Sequence, residues 1–184
     1  MKHFTLFLSA ACLFVFALQL IFPEVTGELA LTHEFFHKPW QLFTNIFAHA
    51  SFPHLFFNLF ALLLFGSMLE SLEGSRRFAY LFLSSLLLTD IASLMFYPAT
   101  VGMSGIIYAI LGALAVLRPS MLVLVFGMPL PLILAIIFWA LVDLVGVFYP
   151  SGVANASHLA GLITGVLFGI AWKMEEKRKE ITPL

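Results

Sequence analysis

Cysteine and charged residues are scarce in this sequence. Cys12 is the only cysteine, so a disulfide within one chain and a cysteine metal site are both excluded. Only 10% of the 184 residues are charged and the net charge is −1, which leaves no basic surface for nucleic acid. By contrast, 61% of the residues are hydrophobic and the mean hydropathy is +1.04. This composition excludes an ordinary soluble domain and indicates an integral membrane protein.

Apolar runs of membrane-spanning length recur along the chain. A spanning helix needs about 20 apolar residues, so the chain has room for at most about six or seven spans and for no additional soluble domain. The first run ends at Pro23 and Glu24 instead of a small-residue cleavage site, so we predict a retained span and not a signal peptide. We therefore predict one all-α domain over residues 1–184. Its spans are 4–22, 53–72, 78–96, 104–118, 130–148 and 155–173, and a tail follows over 174–184.

The cationic residues predict the orientation in the membrane, because cationic loops stay on the cytoplasmic side. All of them except Lys38 fall on one side of the six-span arrangement, so both termini are predicted to be cytoplasmic. The small six-span form is typical of a prokaryotic plasma-membrane protein. The residues on the predicted cytoplasmic side are Lys2, Arg76, Arg77, Arg118, Lys173, Lys177, Arg178 and Lys179.

Two connecting segments are predicted to lie at the membrane surface. The segment 23–53 is rich in aromatic residues, which prefer the headgroup level, so we expect it to lie in the interface. The segment 119–131 is apolar but too short to cross and is interrupted by Gly127, Pro129 and Pro131. We predict that it forms a turn on the cytoplasmic surface.

Polar side chains inside apolar spans are costly, so each is expected to be paired, to face water or to do chemistry. Ser104 stands between Gly102 and Gly105 at the start of the fourth span, where the helix dipole favours a developing oxyanion. His158 begins the sixth span, three residues before Gly161. Gly161, Gly165 and Gly169 give that helix a smooth face on which the fourth helix can lie, and this packing would bring Ser104 and His158 together.

A third polar element lies at the start of the second span. His54 and Asn58 fall on one helix face, and both offer N–H donors that would stabilise an oxyanion. The alternative interpretation is a metal site built from His49, His54 and His158. It lacks the companion carboxylates and the histidine spacing that a catalytic zinc site requires, so we predict no metal and no cofactor.

Taken together, these motifs resemble the rhomboid protease family over essentially the whole chain. The resemblance rests on G-x-S-G opening a fourth span, H-x3-N in the second, and N-x2-H-x2-G-x3-G in the sixth. It implies a six-helix rhomboid bundle with an interfacial loop between the first two helices. It also implies that Ser104 is the nucleophile, that His158 is the general base, and that His54 and Asn58 form the oxyanion hole.

The resemblance implies structural roles for further residues. His49 would hold the first loop, Glu70 would bond the loop to a helix, and Tyr108 would pack against His158. The family often has Trp-Arg in the first loop, whereas here Gln41 follows Trp40, so we expect that loop to lack an ionic anchor.

Rhomboids work with a catalytic dyad, and the resemblance therefore argues against a catalytic acid in this chain. Asp143 and Asp90 are consequently predicted to be structural, near cytoplasmic helix ends or in interhelical hydrogen bonds.

The sequence therefore predicts an intramembrane serine endopeptidase whose partners are transmembrane protein substrates and the lipid bilayer. The resemblance implies that substrates enter past the fifth span and the loop before the sixth, and Phe138, Trp139 and Phe148 are candidate gate residues. Two alternatives stay open: a catalytically inactive relative that binds membrane helices, and a small transporter that uses the polar residues as a pathway. The substrate and the oligomeric state do not follow from the sequence.

Overall fold

The computed structural model describes residues 3–149 and 152–181, and most of them are helical. Lys2 and residues 182–184 of the predicted tail lie outside the described residues. The helices are α1 (Phe4–Ile21), α2 (Val25–Leu29), α3 (Gln41–Thr44), α4 (Phe52–Ala61), α5 (Ser67–Phe96), α6 (Ser104–Leu117), α7 (Leu132–Phe148) and α8 (Asn155–Ile181). Four short strands accompany them: β1 (Leu31–Thr32), β2 (Ala99–Thr100), β3 (Leu122–Val125) and β4 (Met128–Pro131).

The second and third predicted spans form one helical run that is broken at a glycine. The run extends from α4 through a π-helical turn at Leu62–Gly66 into α5, 45 residues in all. Gly74 has φ 79° and ψ 158°, a conformation that favours glycine and that interrupts the helix between the two predicted spans. The break lies where the sequence predicts a connecting loop.

Length and composition support an integral membrane protein. Among the described residues, α1, the run Phe52–Phe96 and α8 are long and apolar enough to cross a bilayer, whereas α6 and α7 are apolar but shorter. With 14 residues, α6 is about 21 Å long, less than the roughly 30 Å of the hydrocarbon core. The count of six spans therefore stays a prediction.

The prediction of an all-α fold needs one correction. The segment 119–131 is not a simple turn, because β3 and β4 pair in an antiparallel hairpin with Val125 opposite Met128. Phe126 and Gly127 at its tip both have positive φ, as two-residue hairpin turns require. The hairpin satisfies its own backbone hydrogen bonds, which an isolated apolar turn near the membrane would leave unpaired. A second small sheet joins β1 to β2.

The first loop is anchored despite the missing arginine. Gln41 is fully buried, and its Oε1 accepts hydrogen bonds from Thr32 N at 3.1 Å and from Thr32 Oγ1 at 3.0 Å. Trp40 Nε1 donates to the Glu28 carbonyl, and Lys38 forms an ion pair with Glu28. The arginine anchor is absent, as the sequence indicates, and the buried Gln41 amide holds the loop in its place.

The central helix of the bundle is α6. Most of its residues are buried, whereas large parts of α1 and α7 expose apolar side chains that suit a lipid environment. Cys12 lies in the core at 1% exposure.

At the end of α6 opposite Ser104, polar contacts join three helices. Arg77 of α5 binds Glu175 of α8 at 2.6 Å, and Lys173 donates to the Val116 carbonyl at 3.0 Å. This arrangement agrees with the predicted clustering of cationic residues, while their cytoplasmic location stays a prediction.

Candidate active site

Ser104 is the first residue of α6 and lies at the rim of a large cavity. Two residues earlier, Gly102 adopts φ 112°, and a Cβ there would lie 2.6 Å from Cε1 of His54. Glycine is therefore required at this position by both its backbone conformation and the close approach of the His54 ring. The first N–H groups of a helix have no helical partner and carry partial positive charge, so the surroundings of Ser104 favour an anion.

His158 of α8 contacts Ser104 directly. Its Nε2 lies 2.7 Å from Ser104 Oγ, which is a good hydrogen-bond distance. The Tyr108 ring stacks on the imidazole with a centroid distance of 4.3 Å and an interplanar angle of 10°. The structure thus brings together the serine, the histidine and the tyrosine that the sequence singled out.

The glycines of α8 allow this contact. A Cβ at Gly161 would lie 2.0 Å from the carbonyl oxygen of Gly105, and one at Gly165 would lie 1.9 Å from that of Ala109. Both distances are far shorter than any real Cβ contact, so α6 and α8 approach as closely as they do only because these positions lack side chains. Gly105 is itself packed against Thr89 and Ser157.

Asp143 is buried beside the candidate catalytic histidine. It is 3% exposed, and its Oδ1 lies 3.0 Å from His158 Nδ1. Asp143 lies on the Ser104 side of the bundle, away from the cationic cluster of Arg77 and Lys173. The alternative of an interhelical hydrogen bond describes it correctly, but its partner is the candidate catalytic histidine. Asp90 is also buried, and its Oδ1 accepts from Asn45 Nδ2 at 3.3 Å.

The two predicted oxyanion donors differ in their surroundings. His54 lines the cavity together with Ser104 and His158. Asn58 is buried, and its Nδ2 donates to the His54 carbonyl at 2.8 Å. Asn58 is not among the described residues that line the cavity, so its role as an oxyanion donor stays a prediction.

His49 has contacts typical of a structural residue. It is 2% exposed, its Nδ1 lies 3.1 Å from the Phe47 carbonyl, and its ring meets that of His54 edge to face at 5.0 Å. Burial, together with repulsion from a charged His54, lowers the pKa of His49 to about 4. His49 is therefore neutral at physiological pH and is suited to packing instead of proton transfer.

Glu70 ties α1 to the segment around the break at Gly74. Its carboxylate accepts from the backbone N–H groups of Phe4 and Thr5, from Thr5 Oγ1 and from Ser75 Oγ. These bonds satisfy the N-terminal donors of α1 and complement its helix dipole. The predicted structural role of Glu70 agrees with this geometry.

The cavity has a volume of about 920 Å³ and opens between several elements. Its wall includes Tyr97 and the residues of β2, the end of α7 at Gly146 and Val147, and the loop before α8. None of the predicted gate residues Phe138, Trp139 and Phe148 lines it among the described residues. Phe138 instead meets Phe126 of the hairpin at 6.0 Å, near the opposite end of α7.

The three histidines of the alternative metal site do not converge. Both ring nitrogens of His158 already have partners, Ser104 and Asp143, and neither is free for an ion. Within the described ranges, no three His, Cys, Asp or Glu side chains are arranged to hold a metal ion.

Comparison with known proteins gives consistent matches. The family described as Rhomboid domain matches residues 37–174. The chain is 27% identical over 172 residues to Rhomboid protease GlpG of Haemophilus influenzae, covering 90% of this chain and 88% of that protein. It is 34% identical over 130 residues to Rhomboid protease GluP of Bacillus subtilis, covering 68% of this chain and 24% of that protein. It is 30% identical over 152 residues to Rhomboid protein 1, mitochondrial, of Saccharomyces cerevisiae, covering 73% of this chain and 43% of that protein.

Proposed function

Because this chain belongs to the rhomboid family, we propose that it is an intramembrane serine endopeptidase with Ser104 as nucleophile and His158 as general base. The observation that carries this proposal is the 2.7 Å contact between Ser104 Oγ and His158 Nε2 at the edge of the cavity. A serine hydroxyl is a weak nucleophile until an adjacent base accepts its proton, and this contact supplies that base.

The reaction would be an acyl transfer in two steps. His158 Nε2 takes the Ser104 proton while Oγ bonds to the carbonyl carbon of the substrate, and the protonated histidine then gives its proton to the leaving amine. Water, activated by the same histidine, hydrolyses the acyl-enzyme. The developing oxyanion would be held by His54 and by the N–H groups at the start of α6, and each donor typically contributes about 3–4 kcal/mol. Asn58 is the other proposed side-chain donor, and it would have to exchange its bond to the His54 carbonyl for one to the oxyanion.

The substrate would be a transmembrane segment of another protein. A peptide bond in an intact helix is shielded by its own hydrogen bonds, so the segment must unwind to reach Ser104. On the α7 side, the cavity wall is formed by Gly146 and Val147 of the helix and by the loop residues Gly152 and Val153. This side is the proposed entrance, in place of the three aromatic residues of α7.

We place the protein in a prokaryotic plasma membrane with both termini in the cytoplasm. In support of this orientation, Arg77, Lys173 and the charged end of α8 lie at the end of the bundle opposite Ser104. The site would then be close to the outer surface, where water is available for the second step.

The test is cleavage of a single-span substrate by the purified protein in liposomes. We expect cleavage by the wild type with and without chelator, and none by Ser104→Ala or His158→Ala. Ser120→Ala and His37→Ala remove the same side chains at exposed positions and should cleave normally. A folded wild type that cuts no substrate and does not react with a fluorophosphonate at Ser104 would contradict the proposal and favour a helix-binding protein. Ion flux that persists in Ser104→Ala would favour a transporter.

A further inference from the structure

The carboxylate of Asp143 completes a chain of hydrogen bonds that begins at Ser104. His158 Nε2 faces Ser104 Oγ at 2.7 Å, and His158 Nδ1 faces Asp143 Oδ1 at 3.0 Å. The serine, the histidine and the acid come from three helices, α6, α8 and α7. From this geometry we propose that Asp143 is a positioning residue that makes the Ser104–His158 pair a triad. This inference rests on the proposed function.

The close packing of α7 on α8 sets this contact. A Cβ at Gly146 would lie 2.6 Å from the side chain of Asn155, so the two helices approach there as closely as a glycine permits. Asp143 precedes Gly146 by three residues, and His158 follows Asn155 by three. Residues three apart share a helix face, so the same approach brings the carboxylate to the imidazole.

The carboxylate determines which ring nitrogen carries the proton. An ionised carboxylate only accepts hydrogen bonds, so Nδ1 must be the donor and Nε2 must present its lone pair to the Ser104 hydroxyl. This is the tautomer that can remove the serine proton. Without Asp143 nothing on the Nδ1 side would select against the opposite tautomer, whose Nε2–H would donate to Ser104 instead of activating it.

The surroundings suit a carboxylate that supports the imidazolium. In the part of the chain that the structure describes, His158 is the only basic side chain within ion-pair distance of the Asp143 carboxylate. The other titratable groups facing the pair are His54 from α4 and Tyr108 from α6, both of which interact with it electrostatically. When Nε2 receives the serine proton, the Nδ1 proton stays on the ring and the carboxylate stays ionised, so the new positive charge has an adjacent negative partner.

A purely structural role makes opposite predictions for two variants. Asp143→Asn preserves the shape of the side chain and removes its charge, whereas Asp143→Glu preserves the charge and adds a methylene to a buried site. If Asp143 positions His158, Asp143→Asn lowers kcat by about 100-fold or more with KM nearly unchanged, and Asp143→Glu retains more activity than Asp143→Asn. If Asp143 only packs, Asp143→Asn resembles the wild type and Asp143→Glu is the poorer enzyme.

The experiment combines cleavage kinetics in liposomes with the rate of fluorophosphonate reaction at Ser104, each normalised to the folded fraction. Glu73→Gln is the matched control, since it removes a carboxylate that is 4% exposed and paired with Arg77 at the other end of the bundle. It should leave kcat within about threefold of the wild type. If the wild type is active and Asp143→Asn has a near-normal kcat, the triad is wrong but the protease function stands. If the wild type is inactive, the proposed function itself is wrong.

A measurement on the wild type keeps the inference testable if Asp143→Asn fails to fold. The protein is labelled with ¹⁵N-histidine, and the resonances of His158 are identified as those that disappear in His158→Ala. We expect these resonances to show a protonated Nδ1 and an unprotonated Nε2. The opposite tautomer in the wild type would overturn the proposal.

Discussion

Gln19 in α1 and His49 in the first loop hold each other by two hydrogen bonds. His49 N donates to Gln19 Oε1 at 3.0 Å, and Gln19 Nε2 donates to the His49 carbonyl at 3.1 Å. The pair connects the first helix to the segment that leads into His54. It satisfies two buried backbone groups of a loop, which would otherwise be costly to bury.

We predict that Gln19→Leu destabilises the protein by about 2 kcal/mol or more, because both backbone groups of His49 lose their partners. The measurement is the unfolding midpoint in detergent. Leu20→Ala is the control, since Leu20 is 70% exposed and should change the midpoint little. If the two variants unfold at the same midpoint, the pair contributes nothing to stability.

Replacing Gly161 with alanine should separate α6 from α8. The added Cβ would overlap the Gly105 carbonyl at 2.0 Å, and overpacking of this kind typically costs about 1–3 kcal/mol. A displacement near 1 Å of a reacting group costs about 100-fold in rate, so we expect cleavage to fall by a factor of that order. Gly27→Ala meets no atom within 4 Å and should preserve both activity and stability. Normal cleavage by Gly161→Ala would show that the contact of Ser104 with His158 does not depend on this close packing.

Loss of the charge at Glu70 should release the start of α1. Glu70→Gln retains one acceptor oxygen but presents an NH2 group to donors, including the N–H groups of Phe4 and Thr5. We expect a loss of about 1–3 kcal/mol in unfolding free energy and faster hydrogen exchange in the first turn of α1. Glu34→Gln alters an exposed carboxylate whose nearest ion-pair contact is 3.5 Å, so its effect should stay within about 0.5 kcal/mol. Unchanged exchange in α1 would contradict the capping role.

The predicted spans overlap the long helices, because long apolar runs with Pro, Gly and charged breaks leave few alternatives in a membrane. The prediction failed for the hairpin Leu122–Pro131, because alternation shows as a strand signal only when one face is polar, and here both faces are apolar. The residues Phe126 and Gly127 give only a weak indication of a hairpin turn, and the nearby prolines argue against a strand.

The candidate site was predicted in part. Ser104 and His158 stand out in the sequence because they are polar residues near glycines in apolar helices, whereas Tyr108 was named only through the resemblance to the rhomboid family. The structure places all three in contact. Asp143 was predicted to have only a structural role. Its distance from His158 depends on how α7 packs on α8, and sequence spacing does not give that distance. Gln41 was read as a lost anchor because the sequence does not show that Thr32 supplies the opposite donors.

The buried neutral state of His49 predicts a specific dependence of stability on pH. Its pKa is lowered from an ordinary value of 6.5 to about 4 in the folded protein. Below pH 6.5 the unfolded chain therefore binds a proton that the folded protein does not, so stability falls as the pH decreases towards 4 and is unaffected above 6.5. Between pH 7 and pH 5 this contribution is about 2 kcal/mol.

The measurement is the difference in unfolding free energy between pH 7 and pH 5. This difference should be smaller by about 2 kcal/mol in His49→Asn than in the wild type. Asparagine places an amide N–H near Nδ1, so the bond to the Phe47 carbonyl is retained while the titrating group is lost. His37→Asn removes an exposed histidine and should leave the wild-type difference unchanged. If the wild type and His49→Asn lose the same unfolding free energy between pH 7 and pH 5, another group accounts for the loss of stability in acid. His49 would then bind a proton in the folded protein as readily as in the unfolded chain.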